Sequence, residues 1–288
     1  MRACPSPRRQ RGVALLLVLW ACALLAVLLG GYAAVVHTEA VLARHQLAQT
    51  RAHYAAEAGL MHALRGLHDT RAKQRWIGDG RLYTMSYDGA EVRIRAVDES
   101  GKVDLNSATP AVLQGLFQAA GMAPGDAQAL AAHVVAWRTR SAFEGVASDA
   151  ADYAAAGRHY APRYGPFASV EELQMVLGMT PALYRKLAPH LTLWSGQPSP
   201  DPNVATSLAL AAIPGMTTAR MQEIIAARQR NVDDPALTVG MGVTHSVRSQ
   251  ATLADGTRAV LRATIRWQAE RSNGPPYAVL RWQEGDPE

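Results

Sequence analysis

The side chains that could do chemistry are scattered along this chain and form no recognisable catalytic motif. The sequence contains no Gly-x-Ser-x-Gly nucleophile motif, no His-Glu-x-x-His metal motif and no phosphate-binding P-loop. Its nine histidines are dispersed, and no serine or cysteine stands out as a nucleophile. We therefore predict that the chain is not an enzyme.

One weak metal-ion signal is an acidic cluster formed by Glu144, Asp149 and Asp152, with Glu171 and Glu172 further along. Calcium binds several oxygen ligands from carboxylates and carbonyls. The first three residues are therefore candidate calcium ligands. The alternative is a solvated acidic surface.

A short basic leader meets a long apolar run at Arg11-Gly12-Val13. Residues 13–36 carry no charge at neutral pH, and about 20 apolar residues suffice to cross a bilayer as a helix. Positive charge lies only on the N-terminal side, so that end should stay cytoplasmic and the rest should be exported. A glycine at such a junction is where a prepilin peptidase cuts, which predicts cleavage between Gly12 and Val13.

Three other interpretations of this segment stay open. A secretory signal could end at Ala21-Cys22-Ala23, a lipoprotein box could lie at residues 19–22, or the anchor could stay uncleaved. Apolar sequence continues past the first two sites to residue 36, which counts against both.

The positive charge of the chain lies mostly in the leader. The net charge is +5, but residues 1–12 hold four arginines and no acid, which leaves 25 basic and 24 acidic residues beyond them. A mature chain so close to neutral has little general attraction for nucleic acid. Of the two cysteines, one lies in the leader and one in the apolar run, so no disulfide framework is expected.

The first helix should continue beyond the membrane. No proline occurs in residues 37–68. One apolar stripe on an otherwise polar helix consists of Leu47, Tyr54, Met61 and Leu64, with Leu60 and Leu67 beside them. From Val13 to the end of this segment the helix would be about 80 Å long. We predict that the stripe packs on the head of the same chain.

Strand patterns flank a helical middle. Residues 81–87 and 91–97 alternate around Asp88-Gly89, which indicates a hairpin. Residues 259–267 and 277–282 alternate again, and 236–247 is a weaker third candidate. We expect one antiparallel sheet interrupted by an insertion, with two separate small sheets as the alternative.

The middle of the chain repeats a Gly-Met turn between short apolar segments. Gly121, Gly178 and Gly215 each precede methionine, and each could end a helix in a left-handed conformation. Thr109-Pro110 and Thr180-Pro181 are typical helix starts, and residues 169–172 fit a capping box. The pattern predicts helix-hairpin-helix, or SAM-like, modules. Compact hairpins without a nucleic-acid ligand are the favoured interpretation, because residues 201–231 form no basic stripe.

Arg11-Gly12-Val13 with its apolar run and the segment Tyr54-Ala55-Ala56-Glu57-Ala58-Gly59-Leu60 resemble the N-terminus of type IV pilin-like proteins. Most of these carry a glutamate at the fifth mature position, where this chain has Leu17. With Leu17 at this position, the segment 97–106 and the inserted helical region, the chain resembles the type II secretion minor pseudopilin family called protein K.

The resemblance implies an α+β fold: a pilin-like N-terminal helix and an antiparallel sheet with a large inserted all-α domain. It implies calcium in the helical domain and partners among the I-type and J-type minor pseudopilins. Leu17 would suit a subunit at the filament tip. The implied segments are a cleaved leader (1–12), a transmembrane helix (13–36), a stalk with the first strands (37–100), the helical insert (101–231) and closing strands (232–288).

The expected function is a non-enzymatic minor pseudopilin that caps a type II secretion pseudopilus. Its location would be the bacterial inner membrane, crossed once, with the bulk in the periplasm. Two other functions stay open: a DNA-uptake pseudopilin that uses its hairpin modules on nucleic acid, and an anchored periplasmic hydrolase. Salt-sensitive binding of duplex DNA would favour the pseudopilin for DNA uptake, and a pocket with convergent polar side chains would favour the hydrolase.

The mature N-terminus tests the predicted cleavage. Mass spectrometry of the chain from membranes that contain a prepilin peptidase should find Val13 as the first residue. An intact Met1, or a start near Leu24, would instead assign the chain to ordinary anchored or exported proteins.

Overall fold

The computed structural model describes residues 11–71, 74–139, 146–230, 242–268 and 276–285. Its helices in chain order are α1 (Arg11–Leu67), α2 (Pro110–Ala119), α3 (Pro124–Arg138), α4 (Val146–Ala155), α5 (Pro181–Leu187), α6 (Ser207–Ala211) and α7 (Thr218–Arg230). Its strands are β1 (Asp79–Tyr87), β2 (Ala90–Asp98), β3 (Val103–Asp104), β4 (Leu191–Thr192), β5 (Thr244–Thr252), β6 (Arg258–Trp267) and β7 (Tyr277–Glu284).

Five strands form one antiparallel sheet in the order β1-β2-β5-β6-β7. Strands from both ends of the chain therefore share a sheet, and the helical region lies between the adjacent strands β2 and β5. The expected single sheet is confirmed, and the alternative of two separate small sheets is wrong. The weak candidate at 236–247 corresponds to β5, which begins only at Thr244; residues 236–241 lie outside the described part of the chain.

The β1–β2 hairpin follows from its turn. Asp88 and Gly89 both have positive φ angles, 46° and 77°. A two-residue turn with two positive φ angles matches the right-handed twist of the flanking strands, and Asp-Gly adopts it at low cost. The register then pairs Tyr87 with Ala90 directly across the turn.

Helix α1 contains 57 residues, which corresponds to about 85 Å. Its second half lies on the inner face of the sheet through residues spaced three and four apart: Ala52, Ala55, Ala56, Gly59, Leu60, Ala63, Leu64 and Leu67. They pack against alternating residues of the central strands, among them Val92, Ile94, Val247, Leu261 and Ile265. This contact is the core of the head.

The predicted stripe on α1 is confirmed for three of its six residues and wrong for the other three. Leu60, Leu64 and Leu67 are buried against the sheet, but Leu47 and Tyr54 are each 60% exposed and Met61 is 37% exposed. At about 100° per residue, Tyr54 lies roughly 200° around the helix from Ala52, on the opposite side. Small residues face the sheet because they let the helix backbone come close to it.

Gly59 marks the closest approach of the helix to the sheet. A Cβ atom at this position would lie 2.5 Å from Val92 Cγ1 and 3.3 Å from Ile94 Cγ1, and it would also clash with Ser249 Oγ. Both Val92 and Ser249 are fully buried and have no space to move into. The hydrogen atom of glycine is therefore what the packing here requires.

The helices between β2 and β5 have their own apolar core. Its largest fully buried side chains include Phe117, Leu113, Leu130, Tyr153 and Leu210. The short parallel pair β3–β4 joins the start of this region to its middle through Val103 and Leu191. The region can therefore be stable without using the core beneath α1.

The predicted turn chemistry is confirmed at the three Gly-Met turns. Gly121, Gly178 and Gly215 have φ angles of 102°, 88° and 77°. The hydroxyls of the N-cap threonines accept backbone N–H bonds three residues on, from Val112 to Thr109, from Leu183 to Thr180 and from Ala209 to Thr206. The predicted capping box at 169–172 is wrong, because Ser169 makes no side-chain cap bond and a 3-10 helix, Val170–Met175, follows it.

Two helical hairpins in this region are held by matching contacts. In the first, Arg138 near the end of α3 donates to the carbonyl oxygens of Leu105 and Ala108, each at 2.6 Å. In the second, Arg228 near the end of α7 donates to the carbonyl oxygens of Ala205, at 2.7 Å, and Pro202. The two acceptors are three residues apart in both hairpins and precede α2 or α6.

Replacing Gly59 tests the packing of α1 on the sheet. We expect Gly59→Leu to lower the free energy of unfolding by about 1–3 kcal/mol, because the added side chain must displace buried neighbours. Gly125→Leu is the matched control, since Gly125 is exposed in the first turn of α3, with nothing within 4 Å of its missing Cβ. Chemical denaturation followed by circular dichroism measures both. Equal stability of the two variants would contradict the close approach.

Candidate functional site: the surfaces and base of helix α1

The first half of α1 is an exposed apolar rod. Every residue from Ala14 to Leu47 is exposed, and within the described residues α1 is the one helix long and apolar enough to cross a membrane. A helix that exposes this much leucine and valine to water would be strongly unfavourable. The exposed half therefore needs a lipid or protein environment.

The candidate cleavage residues Gly12 and Val13 lie in the first turn of α1. Leu17 follows one turn later and is 67% exposed. It lies in an apolar surface with Leu16, Trp20, Ala21 and Leu24. The placement is compatible with the predicted roles of these residues, which stay predictions.

The second half of α1 has two faces with different roles. One face is buried on the sheet, while Leu47, Tyr54 and Met61 point away from it at seven-residue spacing. We call these three residues the apolar ridge. Met61 has a contact inside the head, where the Tyr277 hydroxyl lies 3.7 Å from its sulfur. Heptad spacing of exposed apolar residues is typical of a helix that packs along a second helix.

Aromatic and histidine side chains hold the C-terminal end of α1, which we call its base, against the sheet. The His68 ring, just past the helix end, stacks on Trp267 with centroids 4.0 Å apart. It also meets the His245 ring edge-on at 5.6 Å, and His245 Nε2 lies 3.8 Å from the buried Asp98 Oδ2. These contacts join the helix end to β6, β5 and β2.

Both histidines at this base favour the neutral form. Burial, then the neighbouring His245 and Arg75, lower the pKa of His68 to about 4. Burial also lowers the pKa of His245, although the carboxylates of Asp98 and Glu99 act in the opposite direction. Neutral rings can pack closely without charge repulsion. The sequence analysis treated the histidines as dispersed and missed this cluster, whose one local signal is a histidine at the end of the helix.

A second contact braces the last turns of α1. Trp76 stacks on Tyr83 with ring centroids 3.8 Å apart, and its backbone N–H donates to the Gly66 carbonyl oxygen at 2.8 Å. A Cβ on Gly66 would lie 2.6 Å from the Trp76 ring. The Tyr83 hydroxyl accepts from the Ile77 N–H at 2.8 Å. The chain leaving α1 is thus held against the edge strand β1.

The candidate calcium ligands are not brought together by any feature of the described residues. Glu144 lies outside them, Asp149 lies on α4, and Asp152 is exposed on the same helix. Glu172 accepts the Trp137 indole N–H at 2.9 Å and pairs with Arg163 at 3.2 Å. Among the described residues no three histidine, cysteine or acidic side chains are close enough to hold a metal ion. The calcium site stays a prediction.

Two comparisons with known proteins give matches, one to a family model and one to a solved structure. Residues 93–196 match the family model described as type II secretion system (T2SS), protein K. A chain in the crystal structure of the GspK-GspI-GspJ complex from the enterotoxigenic Escherichia coli type 2 secretion system has a similar fold, with a TM-score of 0.53 and 14% sequence identity. That alignment covers 88% of this chain and 99% of the other. No curated protein sequence matches.

Proposed function

We propose that this chain is a member of the protein K family of the type II secretion system, whose model matches residues 93–196, and that it caps the tip of the pseudopilus and helps to start its assembly. It would thereby serve the export of folded proteins across the outer membrane, without catalysing a reaction. The observation that carries the proposal is the division of α1 into an exposed apolar half and a half packed on its own head. Such a helix can be both membrane anchor and assembly stalk.

The same helix supports a proposed location. We place the chain in the bacterial inner membrane as a single-pass protein, with the N-terminus cytoplasmic and the head periplasmic. The arginines of the leader support this orientation, since positive charge favours the cytoplasmic side. Prepilin peptidase would then cut between Gly12 and Val13 before assembly.

The proposed partners are the I-type and J-type minor pseudopilins. The structurally similar chain comes from a complex that contains GspI and GspJ. In this chain the apolar ridge supplies the surface for a partner stalk, because it lies opposite the face that α1 buries on its own sheet. A partner helix could therefore dock along α1 without disturbing the head.

We further propose that the helices between β2 and β5 form a helix-hairpin-helix, SAM-like domain inserted into the pilin-like head. The matched turns and the matched arginine contacts of the two hairpins support a repeated module. We expect no nucleic-acid binding. Arg138 and Arg228 are used by carbonyl groups of their own hairpins, and Arg220 pairs with Glu223 at 3.0 Å.

Charge on the apolar ridge tests the proposed partner surface. We expect Tyr54→Glu to reduce co-purification of I-type and J-type pseudopilins with the full chain from membranes by about tenfold or more. A carboxylate desolvated in a helix contact costs more than about 1.4 kcal/mol, which is tenfold in affinity. Gln49→Glu is the control, since Gln49 is exposed on another side of α1. Equal loss in both variants would mean that the ridge is not the partner surface.

Leu17 tests the proposed tip position. A glutamate there would be an unpaired acid in the membrane if no neighbouring subunit lies beyond it, and such an acid is costly. We expect Leu17→Glu to lower the recovered complex several-fold while Leu17→Gln, of matched size but uncharged, retains most of it. Full recovery with Leu17→Glu would remove the argument for the tip. That result would leave the partner surface itself unaffected.

A further inference from the structure

The inner face of the sheet, on which α1 packs, is open at one edge. Helix α1 packs mainly on the three central strands β2, β5 and β6, and is therefore centred on β5. On one side of α1, the chain that follows the helix covers the edge strand β1, because Trp76 stacks on Tyr83. On the other side lies the edge strand β7.

Two large apolar side chains of β7 are exposed on this inner face. In register, Val279 lies opposite Ile265 and Trp282 lies opposite Ala263, and both β6 residues belong to the core beneath α1. Directly opposed residues point to the same face of a sheet. The two β6 residues are buried, whereas Val279 is 46% and Trp282 is 38% exposed. The apolar inner face therefore continues onto β7, where no element of the described chain covers it.

A β-bulge brings these two side chains to the same face. The register of β6 and β7 shifts between Thr264 and Ile265, which leaves Leu280 of β7 as the extra residue. Residues three apart on a regular strand would point to opposite faces. Bulges are frequent at sheet edges, where they re-aim side chains. Here the bulge unites Val279 and Trp282 in one exposed strip, which we call the β7 strip.

The position of the β7 strip fits a second helix beside α1. Neighbouring strands are about 4.8 Å apart, so β7, two strands from β5, lies about 10 Å to the side of the strand beneath α1. Packed helices have axes about 8–10 Å apart. A helix over the β7 strip would therefore contact α1 at an ordinary distance. We call the space between α1 and the strip the side groove.

The side groove is closed at one end and open at the other. At the base of α1, the hydroxyl of Tyr277, the first residue of β7, lies 3.7 Å from the Met61 sulfur. At the other end, Glu284 lies beside the start of β6, and the turn before β6 contains Asp255, which lines a crevice with Arg44 of α1. The open end therefore faces the part of α1 that leads into its exposed apolar half. A helix that runs beside α1 from the membrane would enter here.

Two carboxylates indicate the charge of the occupant. Glu57 precedes Leu64 by two helical turns and therefore shares its flank of α1, and Leu64 lines a crevice with Tyr277. Glu57 is half-buried, and Glu284 lies on the inner face of β7 opposite the core residue Leu261. Among the described residues, neither carboxylate has a hydrogen bond or an ion pair. A helix that covers them must supply a cation, because an unpaired buried carboxylate is costly.

We propose that the side groove binds the stalk helix of a partner minor pseudopilin, with apolar side chains on the β7 strip and a lysine or arginine beside Glu57. This inference rests on the proposed function, because it gives the proposed partners a second contact surface. It differs from the apolar ridge, which lies on the face of α1 opposite the sheet. The groove lies on the flank of α1 and on the sheet itself.

Site-specific photo-cross-linking in membranes tests the side groove. The full chain carries p-benzoylphenylalanine in place of Trp282 and is produced together with the I-type and J-type pseudopilins of its own secretion system. We expect ultraviolet light to join it to one of these partners, and mass spectrometry to locate the cross-link in the partner's first helix. The matched control carries the same residue in place of Gln283, which is exposed on the outer face of β7. It should give several-fold less product.

The ionic contact is tested in the chain that carries the cross-linker in place of Trp282. Glu57→Lys should lower the yield of cross-linked product several-fold, because two cations would then meet, and Glu57→Gln should lower it less. Glu91→Lys is the control, since Glu91 is exposed on β2 and belongs to the outer face. Should Glu57→Lys lower the thermal stability of the head, Glu57→Gln decides the outcome. Equal yields from Glu57→Lys, Glu57→Gln and Glu91→Lys would contradict the cation beside Glu57.

A further position separates this inference from the proposed partner surface. The same cross-linker in place of Tyr54 reports on the apolar ridge. Product from the Tyr54 position but not from the Trp282 position would overturn the side groove and leave the ridge in place. No product from either position would overturn both. Equal product from the Trp282 and Gln283 positions, or a cross-link outside the partner's first helix, would also refute helix binding in the groove.

Discussion

The packing of small residues of α1 on the inner face of the sheet is the constraint on which the other features of this molecule depend. Alanine and glycine at the contact let the helix backbone approach until a single added Cβ at Gly59 would clash with the sheet. Leu60, Leu64 and Leu67, toward the C-terminal end of this contact, add apolar burial, which contributes about 1.5–3 kcal/mol for each side chain. Because one side of the helix is fixed in this way, the opposite side is presented to the surroundings in a defined orientation.

The sheet can accept a large insertion because the insertion leaves and returns at neighbouring strand ends. Asp98 at the end of β2 pairs in register with His245 near the start of β5. The helical region therefore begins and ends close together, which lets it fold around its own core without opening the sheet. Both carboxylates at this junction have partners: the Asp98 carboxylate accepts the Ser100 N–H at 2.8 Å, and Glu99 pairs with Lys102.

Local patterns were sufficient to predict much of the fold. Alternating residues, Asp88-Gly89 and the Thr-Pro caps predicted the strands, the hairpin and two helix starts, because each depends on neighbours in the sequence. The face that α1 buries was found only in part in this way, through Leu60, Leu64 and Leu67. Alanine and glycine contribute little to a hydrophobic pattern, whereas Leu47, Tyr54 and Met61 dominate it and point the other way. The face of α1 that packs on the sheet is the one whose small side chains let the helix backbone approach the strands closely.

Features that need long-range pairing were also missed. His68 and His245 are far apart in the sequence, and no local pattern indicates that their rings meet. Arg95 and Arg248 are likewise neighbours only because β2 pairs with β5 across the whole insertion. In the sequence each is a single arginine in an alternating strand. The candidate calcium ligands stay a prediction, because Glu144 lies outside the described residues.

The two-residue period of the strands then determines what each face of the sheet presents. Apolar residues of β2, β5 and β6 point to α1, so the residues between them, including Arg95, Arg248 and Arg262, must point to the outer face. A pocket of about 430 Å³ lies between that outer face and the inserted helices. The same alternation therefore places the apolar core beneath α1 on one side of the sheet and a more polar contact with the inserted helices on the other.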